Sequence, residues 1–194
     1  MIYCETERLI LRDWHEDDLL PFQKMNANYD VRKYFPSLLS YRRSELDMRT
    51  MDAVIKDYGI GLFAVEDKES HQWIGFIGLN YIPETSDYPF KELPLYEIGW
   101  RLLPEFWGKG LATEGAKAAL KLAEQHQIYD VYSFTAEANK ASQRVMEKIG
   151  MTVYDHFELP NLSKYHLLKG KCAITLIFES ENLYISVTNT PNIV

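Results

Sequence analysis

Residues 95 to 116 read LYEIGWRLLPEFWGKGLATEGA, a pattern that few folds can accommodate. Tyr96, Ile98, Trp100 and Leu102 alternate with Glu97, Gly99, Arg101 and Leu103, the two-residue period of a strand. Pro104 has no N–H for a sheet ladder and ends it. Gly108 and Gly110 then lead into a helix whose Ala112, Ala116, Ala119, Leu120 and Ala123 form one apolar stripe. Glycines before a helix let the backbone approach a ligand closely. The unpaired N–H groups of the first helical turn suit an anion, most often a phosphate. The stretch lacks the GxxxxGKS/T spacing of a P-loop, and as a GxGxxG fingerprint it fails at Thr113. The glycines by themselves leave two readings open, a phosphate site and a plain structural turn.

Around this unit the chain alternates between strand and helix patterns. TERLILRDW (Thr6–Trp14) reads as a strand, and HEDDLLPFQKMN as a helix with acidic residues in its first turn. An aromatic connector, Tyr29–Tyr41, precedes a helix over Ser44–Asp57 with Leu46, Met48, Met51, Val54 and Ile55 on its apolar side. Gly61–Asp67 and Gln72–Ile82 read as a hairpin closed by the polar KESH turn. After the central helix come a strand (Val131–Glu137) and a short helix (about Lys140–Ile149) stopped by Gly150. Strand patterns at Met151–Leu159 and Cys172–Ser180 follow. This order predicts an α/β chain with a mixed sheet, antiparallel in its first part. Without repeats or linkers, it reads as one domain over 1–180 and a polar tail over 181–194.

Of 194 residues, 46% are apolar and 25% charged, as in a soluble globular protein. A net charge of −7 argues against a nucleic-acid partner. No apolar run reaches the length of a membrane span, and Glu5, Glu7, Arg8 and Arg12 interrupt any leader. Cys4 and Cys172 form no CxxC, which fits a reducing, cytoplasmic setting. The five histidines, His156 and His166 among them, show no metal spacing, and no serine sits in a nucleophile elbow.

A second motif lies one strand and one helix after the glycine turn: EANKASQRVMEKIGM, Glu137–Met151. With Trp107-Gly108-Lys109-Gly110-Leu111-Ala112, it resembles the GNAT superfamily of acyl-CoA-dependent N-acetyltransferases. Asn139, Ser142, Glu147-Lys148 and Gly150-Met151 match the family's Asn-x-x-Ser and Glu-Lys-x-Gly pattern. TERLILRDW and WIGFIGL look like its Rim-type branch, which includes ribosomal-protein N-terminal acetyltransferases. The resemblance runs from about Thr6 to Ser180.

The resemblance implies a GNAT fold, an α+β arrangement with a mostly antiparallel sheet of six to seven strands, about four helices and splayed central strands. It implies acetyl-CoA as co-substrate, no metal, and transfer to a primary amine, either a protein N-terminus or a small molecule. A non-enzymatic acyl-CoA sensor is the alternative, and homodimerisation is left open. Backbone at Leu102 and Leu103 would pair with pantetheine, and N–H groups from Gly108, Lys109, Gly110, Leu111, Ala112 and Thr113 would hold the pyrophosphate. Asn139 and Ser142 would face the thioester. Glu97 is the candidate base, with a structural carboxylate or an acceptor ligand as its other readings. The family's usual tyrosine acid is replaced by Met146, which leaves Ser142 as candidate acid and Tyr154 behind it. Lys140, Arg144 and Lys148 recur every four residues, either holding cofactor phosphates or forming a solvated face. The connector Tyr29–Tyr41 and the segment Pro160–Lys171 would wall the acceptor.

Overall fold

In a computed structural model, which describes residues 1–86, 91–158 and 174–180, the alternating segments line up in one sheet. Its strands are β1 (Ile2–Glu5), β2 (Leu9–Arg12), β3 (Leu62–Asp67), β4 (Gln72–Ile82), β5 (Leu95–Leu102), β6 (Val131–Ala136), β7 (Met151–Glu158) and β8 (Ile174–Ser180). They lie in the order β1-β2-β3-β4-β5-β6-β8-β7. Every neighbouring pair is antiparallel except β5 and β6. The mixed, mostly antiparallel sheet is therefore as expected. Its eighth strand comes from the N-terminus, where Ile2–Glu5 folds back on a strand reduced to Leu9–Arg12.

The helices are α1 (Leu19–Asn26), α2 (Tyr29–Arg32), α3 (Tyr41–Tyr58), α4 (Leu111–Gln125) and α5 (Lys140–Lys148). Among the described residues, none is long and apolar enough to cross a membrane. α3 begins three residues before the expected Ser44, because the Ser40 hydroxyl accepts from the Arg43 N–H. It ends where Gly59 turns left-handed at φ 71°. Its buried side runs through Ser44, Met48 and Ile55, so Leu46, expected on that side, points to solvent at 56% exposure. A residue two places from Ser44 and Met48 lies roughly opposite them on a helix.

α4 packs on one face of the sheet through small residues. Ala116, Ala119 and Ala123 are fully buried, and a Cβ on Gly115 would lie 2.4 Å from Ile77 Cδ1. α1 covers the other face, where Phe22 meets Phe76 and Trp73 edge-on with ring centroids 6.0 Å apart. The start of α1 is pinned by a buried ion network. Arg12 donates to both Asp18 oxygens, at 2.7 and 3.0 Å, and its Nε donates to Glu66 at 2.9 Å.

Candidate active site

β5 and β6 pair only at Tyr96↔Val131 and Glu97↔Tyr132, although each strand runs further. Just beyond the last pair, the buried Ser133 hydroxyl donates to the Ile98 carbonyl at 2.9 Å. A side chain takes over there from the ladder, and the strands part toward Leu102 and Ala136. β6 keeps its pairing on the other edge with β8 from Tyr132 to Ala136, so the opening does not unravel it.

Glu97 stands at the closed end of this opening, in the last paired position of β5. Its cross-strand neighbour is Asn80, whose side chain donates a hydrogen bond to it. Burial pushes its carboxyl up from 4.5 to about 7, against the opposing pull of Asn80 and Arg101. A carboxyl poised near neutrality can take up and release a proton at working pH.

The glycine turn occupies the far end of β5. Gly108 and Gly110 have φ of 73° and 79°, which only glycine adopts without strain. A Cβ on Gly108 would meet nothing within 4 Å, so the turn is open on its outer side. Gly110 is the N-cap of α4 and, as a glycine, brings no side chain to cap the first N–H groups. The turn is anchored from behind. Glu114, in the first turn of α4, accepts from Thr6 Oγ1 at 2.6 Å, from the Arg8 N–H at 2.9 Å and from Arg8 Nε at 2.7 Å. Arg8 Nη1 also donates to the Lys109 carbonyl at 2.9 Å. These contacts hold the Glu114 carboxyl below its usual range despite partial burial. Trp107 swings back so that its Nε1 donates to the Leu102 carbonyl at 2.7 Å. The Leu103 N–H donates to Ile74 at 2.8 Å. Leu111 is buried in the core, while Ala112 and Thr113 are half-buried along the helix start.

The second motif closes the opening on the β6 side. Asn139 caps α5: its Oδ1 accepts from the Ser142 N–H, and its Nδ2 donates to Thr135 Oγ1 and to Ser142 Oγ, both at 3.0 Å. Met146 is 2% exposed and belongs to the hydrophobic core. Tyr154 lies toward the paired end of the strands, its ring 5.9 Å from Tyr132 and its hydroxyl 3.0 Å from Glu92. Lys140, Arg144 and Lys148 are exposed along α5. The connector crosses above β5: Tyr34 donates to the Ala138 carbonyl at 3.2 Å, and Phe35 packs on Arg101. Pro160–Lys171, with His166, and Cys172 lie outside the described residues.

A family model, that of the acetyltransferase (GNAT) domain, matches residues 8–152. The chain belongs to the GNAT acetyltransferase family. A Bacillus subtilis relative, uncharacterized protein YkkB, is 30% identical over 148 residues, 75% of this chain and 83% of that protein. The fold is shared with the Salmonella typhimurium acetyltransferase that modifies the N-terminal serine of ribosomal protein L7/L12. That structure superposes at TM-score 0.71 and 14% identity, over 92% of this chain and 98% of the other. Spermidine N-acetyltransferase from Vibrio cholerae, solved with CoA and spermine, gives 0.66 at 22% identity, covering 90% and 95%. Both solved structures share the fold of this chain.

In this GNAT chain the strand, the glycine turn and the Asn139 motif, read separately from sequence, surround one opening. Arg8, Glu114 and Ser133 were not picked out. Arg8 and Glu114 are 106 residues apart, and their meeting leaves no local spacing to find. Ser133 is one of several hydroxyls in its strand, and only the parting of β5 from β6 gives it a role.

Proposed function

We propose that this chain transfers the acetyl group of acetyl-CoA to a primary amine by direct attack on the thioester. The observation that carries this reading is the parting of β5 from β6 immediately after Glu97, with the open glycine turn at its far end. Acetyl-CoA supplies the activated acyl group. The exposed backbone from Gly108 to Thr113 suits its pyrophosphate. Arg8 neutralises Glu114, whose charge would otherwise face those phosphates. The second lone pair of the Leu102 carbonyl and the outer edge of β5 near Leu103 are offered to the pantetheine amides.

Glu97 accepts the proton that the incoming ammonium must lose before its nitrogen can attack. Asn139 donates to Ser142 Oγ, which leaves the Ser142 hydroxyl proton directed at the departing thiolate. The ribosomal and polyamine acceptors named for the two structural neighbours differ widely, so the acceptor follows from this chain's own walls. The core position of Met146 favours a second reading, an acyl-CoA sensor without turnover.

Thermal unfolding tests both. Acetyl-CoA at millimolar concentration should raise the midpoint by several degrees, and NAD and ATP should not. Release of free thiol with an amine panel then separates enzyme from sensor. No shift would remove the acetyl-CoA reading. Replacing Arg8 with alanine should weaken acetyl-CoA binding about tenfold by calorimetry, since it leaves the Glu114 carboxylate unpaired beside a polyanion. Unchanged affinity would place the phosphates elsewhere.

A further inference from the structure

Alternation along β5 puts Glu97, Gly99 and Arg101 on the same face, away from the buried Ile98 and Leu102. Between the two charged residues the surface is open, for a Cβ on Gly99 would meet nothing within 4 Å. Arg101 at the far end is oddly provided for. Its Nη1 donates to Asn26 Oδ1 at 2.9 Å, and its guanidinium carbon lies 4.3 Å from the Phe35 ring centroid and 5.1 Å from that of Phe76. Among the described residues its buried Nε has no hydrogen-bond partner. A second guanidinium, that of Arg32, lies 4.8 Å from the same Phe35 centroid. Arg32 is 6% exposed and donates from Nε to the Ser37 carbonyl at 2.5 Å.

Among the described residues neither arginine has an ion pair. Asp47, the carboxylate whose field reaches Arg32, is already paired with Arg43 at 2.8 Å. Burial and the nearby Arg32 charge push Arg101 down to about 9, so it stays charged at neutral pH. Two desolvated cations that share an aromatic ring, with no carboxylate between them, form an unfavourable arrangement. An anion drawn to the two guanidiniums would supply the missing counter-charge, and a carboxylate is the planar anion that guanidinium groups match best. The face is thus polarised, with a proton acceptor at Glu97, open floor at Gly99 and two neighbouring cations, Arg101 and Arg32, at the other end. Glu97 and Arg101 stand four positions apart on the strand, roughly 13 Å between Cα atoms.

We propose that the acceptor carries a carboxylate as well as its amine, the carboxylate seated against Arg101 and Arg32 and the amine turned toward Glu97. This rests on the acetyl-transfer reading above. A polyamine laid along the same floor would place a cation against the two guanidiniums and is disfavoured.

The test uses matched pairs of free amino acids and their carboxamides as acceptors, with acetyl-CoA and a thiol-release readout. Thermal unfolding in CoA with each compound gives a second readout that needs no turnover. The amide's less basic amine is more often neutral, so unassisted chemistry favours the amide. The expected result is the reverse: for the best acceptor, the acid exceeds its amide about tenfold or more in kcat/KM. The acid should also raise the unfolding midpoint where the amide does not. In Arg101→Gln, and in Arg32→Gln should the first fail to fold, the preference should collapse toward parity. Arg101→Lys should restore it only in part. Stabilisation by the acid without turnover of any pair would support the carboxylate seat and count against acetyl transfer. Turnover with amides equal to or better than acids would overturn the carboxylate seat and leave acetyl transfer standing. Absence of both turnover and selective stabilisation would overturn the proposal.

Discussion

Replacing Glu97 with glutamine should lower kcat/KM for the best amine by about a hundredfold at pH 8, the scale of a lost general base. The wild-type profile should rise as pH passes through about 7, where the Glu97 carboxyl loses its proton, and then level. That limb should vanish in the variant. Stability should move the other way. The folded carboxyl titrates near 7 against 4.5 ordinarily, so the folded state holds the proton more tightly. Its stabilising effect is complete below pH 4.5 and is lost as pH rises through 7. Glutamine cannot ionise and can still accept from Asn80. The variant should therefore be more stable than wild type above pH 7, by about 3 kcal/mol, and little different below pH 4.5. Urea titrations at pH 4 and pH 8 measure this directly. Loss of activity with an unchanged pH limb would make Glu97 an acceptor ligand, and another group would then be the base.

The largest effect on stability should come from Asp18→Ala. The bidentate Arg12–Asp18 pair is buried on both sides, and Asp18 also accepts from the His15 N–H at 2.8 Å. Removal of one partner strands a buried guanidinium, with Glu66 as its remaining anion. The expected loss is about 3–5 kcal/mol in urea unfolding. Replacing both, as in Arg12→Met with Asp18→Leu, should recover most of it, because no buried guanidinium is then stranded and Glu66, the one charge that loses its partner, keeps access to solvent at 21% exposure. The effect reaches the site through α1, whose last residue, Asn26, is fully buried and holds both Ser44 and Arg101. A loosened α1 should raise KM for the acceptor more than for acetyl-CoA. Equal changes in both would mean that α1 does not wall the acceptor.

Much of the architecture is written in local spacing. Alternation over Leu95–Leu102, the Pro104 stop, the two glycines and the alanine stripe of α4 are read from neighbours along the chain and reappear in the fold. Asn139 and Ser142 likewise meet as cap and capped residue because they are three positions apart on a helix start. What the sequence could not express is where distant segments return. The parting of β5 from β6 depends on β8 holding the other edge of β6. The raised Glu97 carboxyl depends on what is packed around it, and the orphaned Arg101 Nε depends on a connector more than sixty residues earlier. Hydrogen bonds between neighbours leave a period in the sequence. Burial, and the electrostatics that burial strengthens, exist only once the chain has closed on itself.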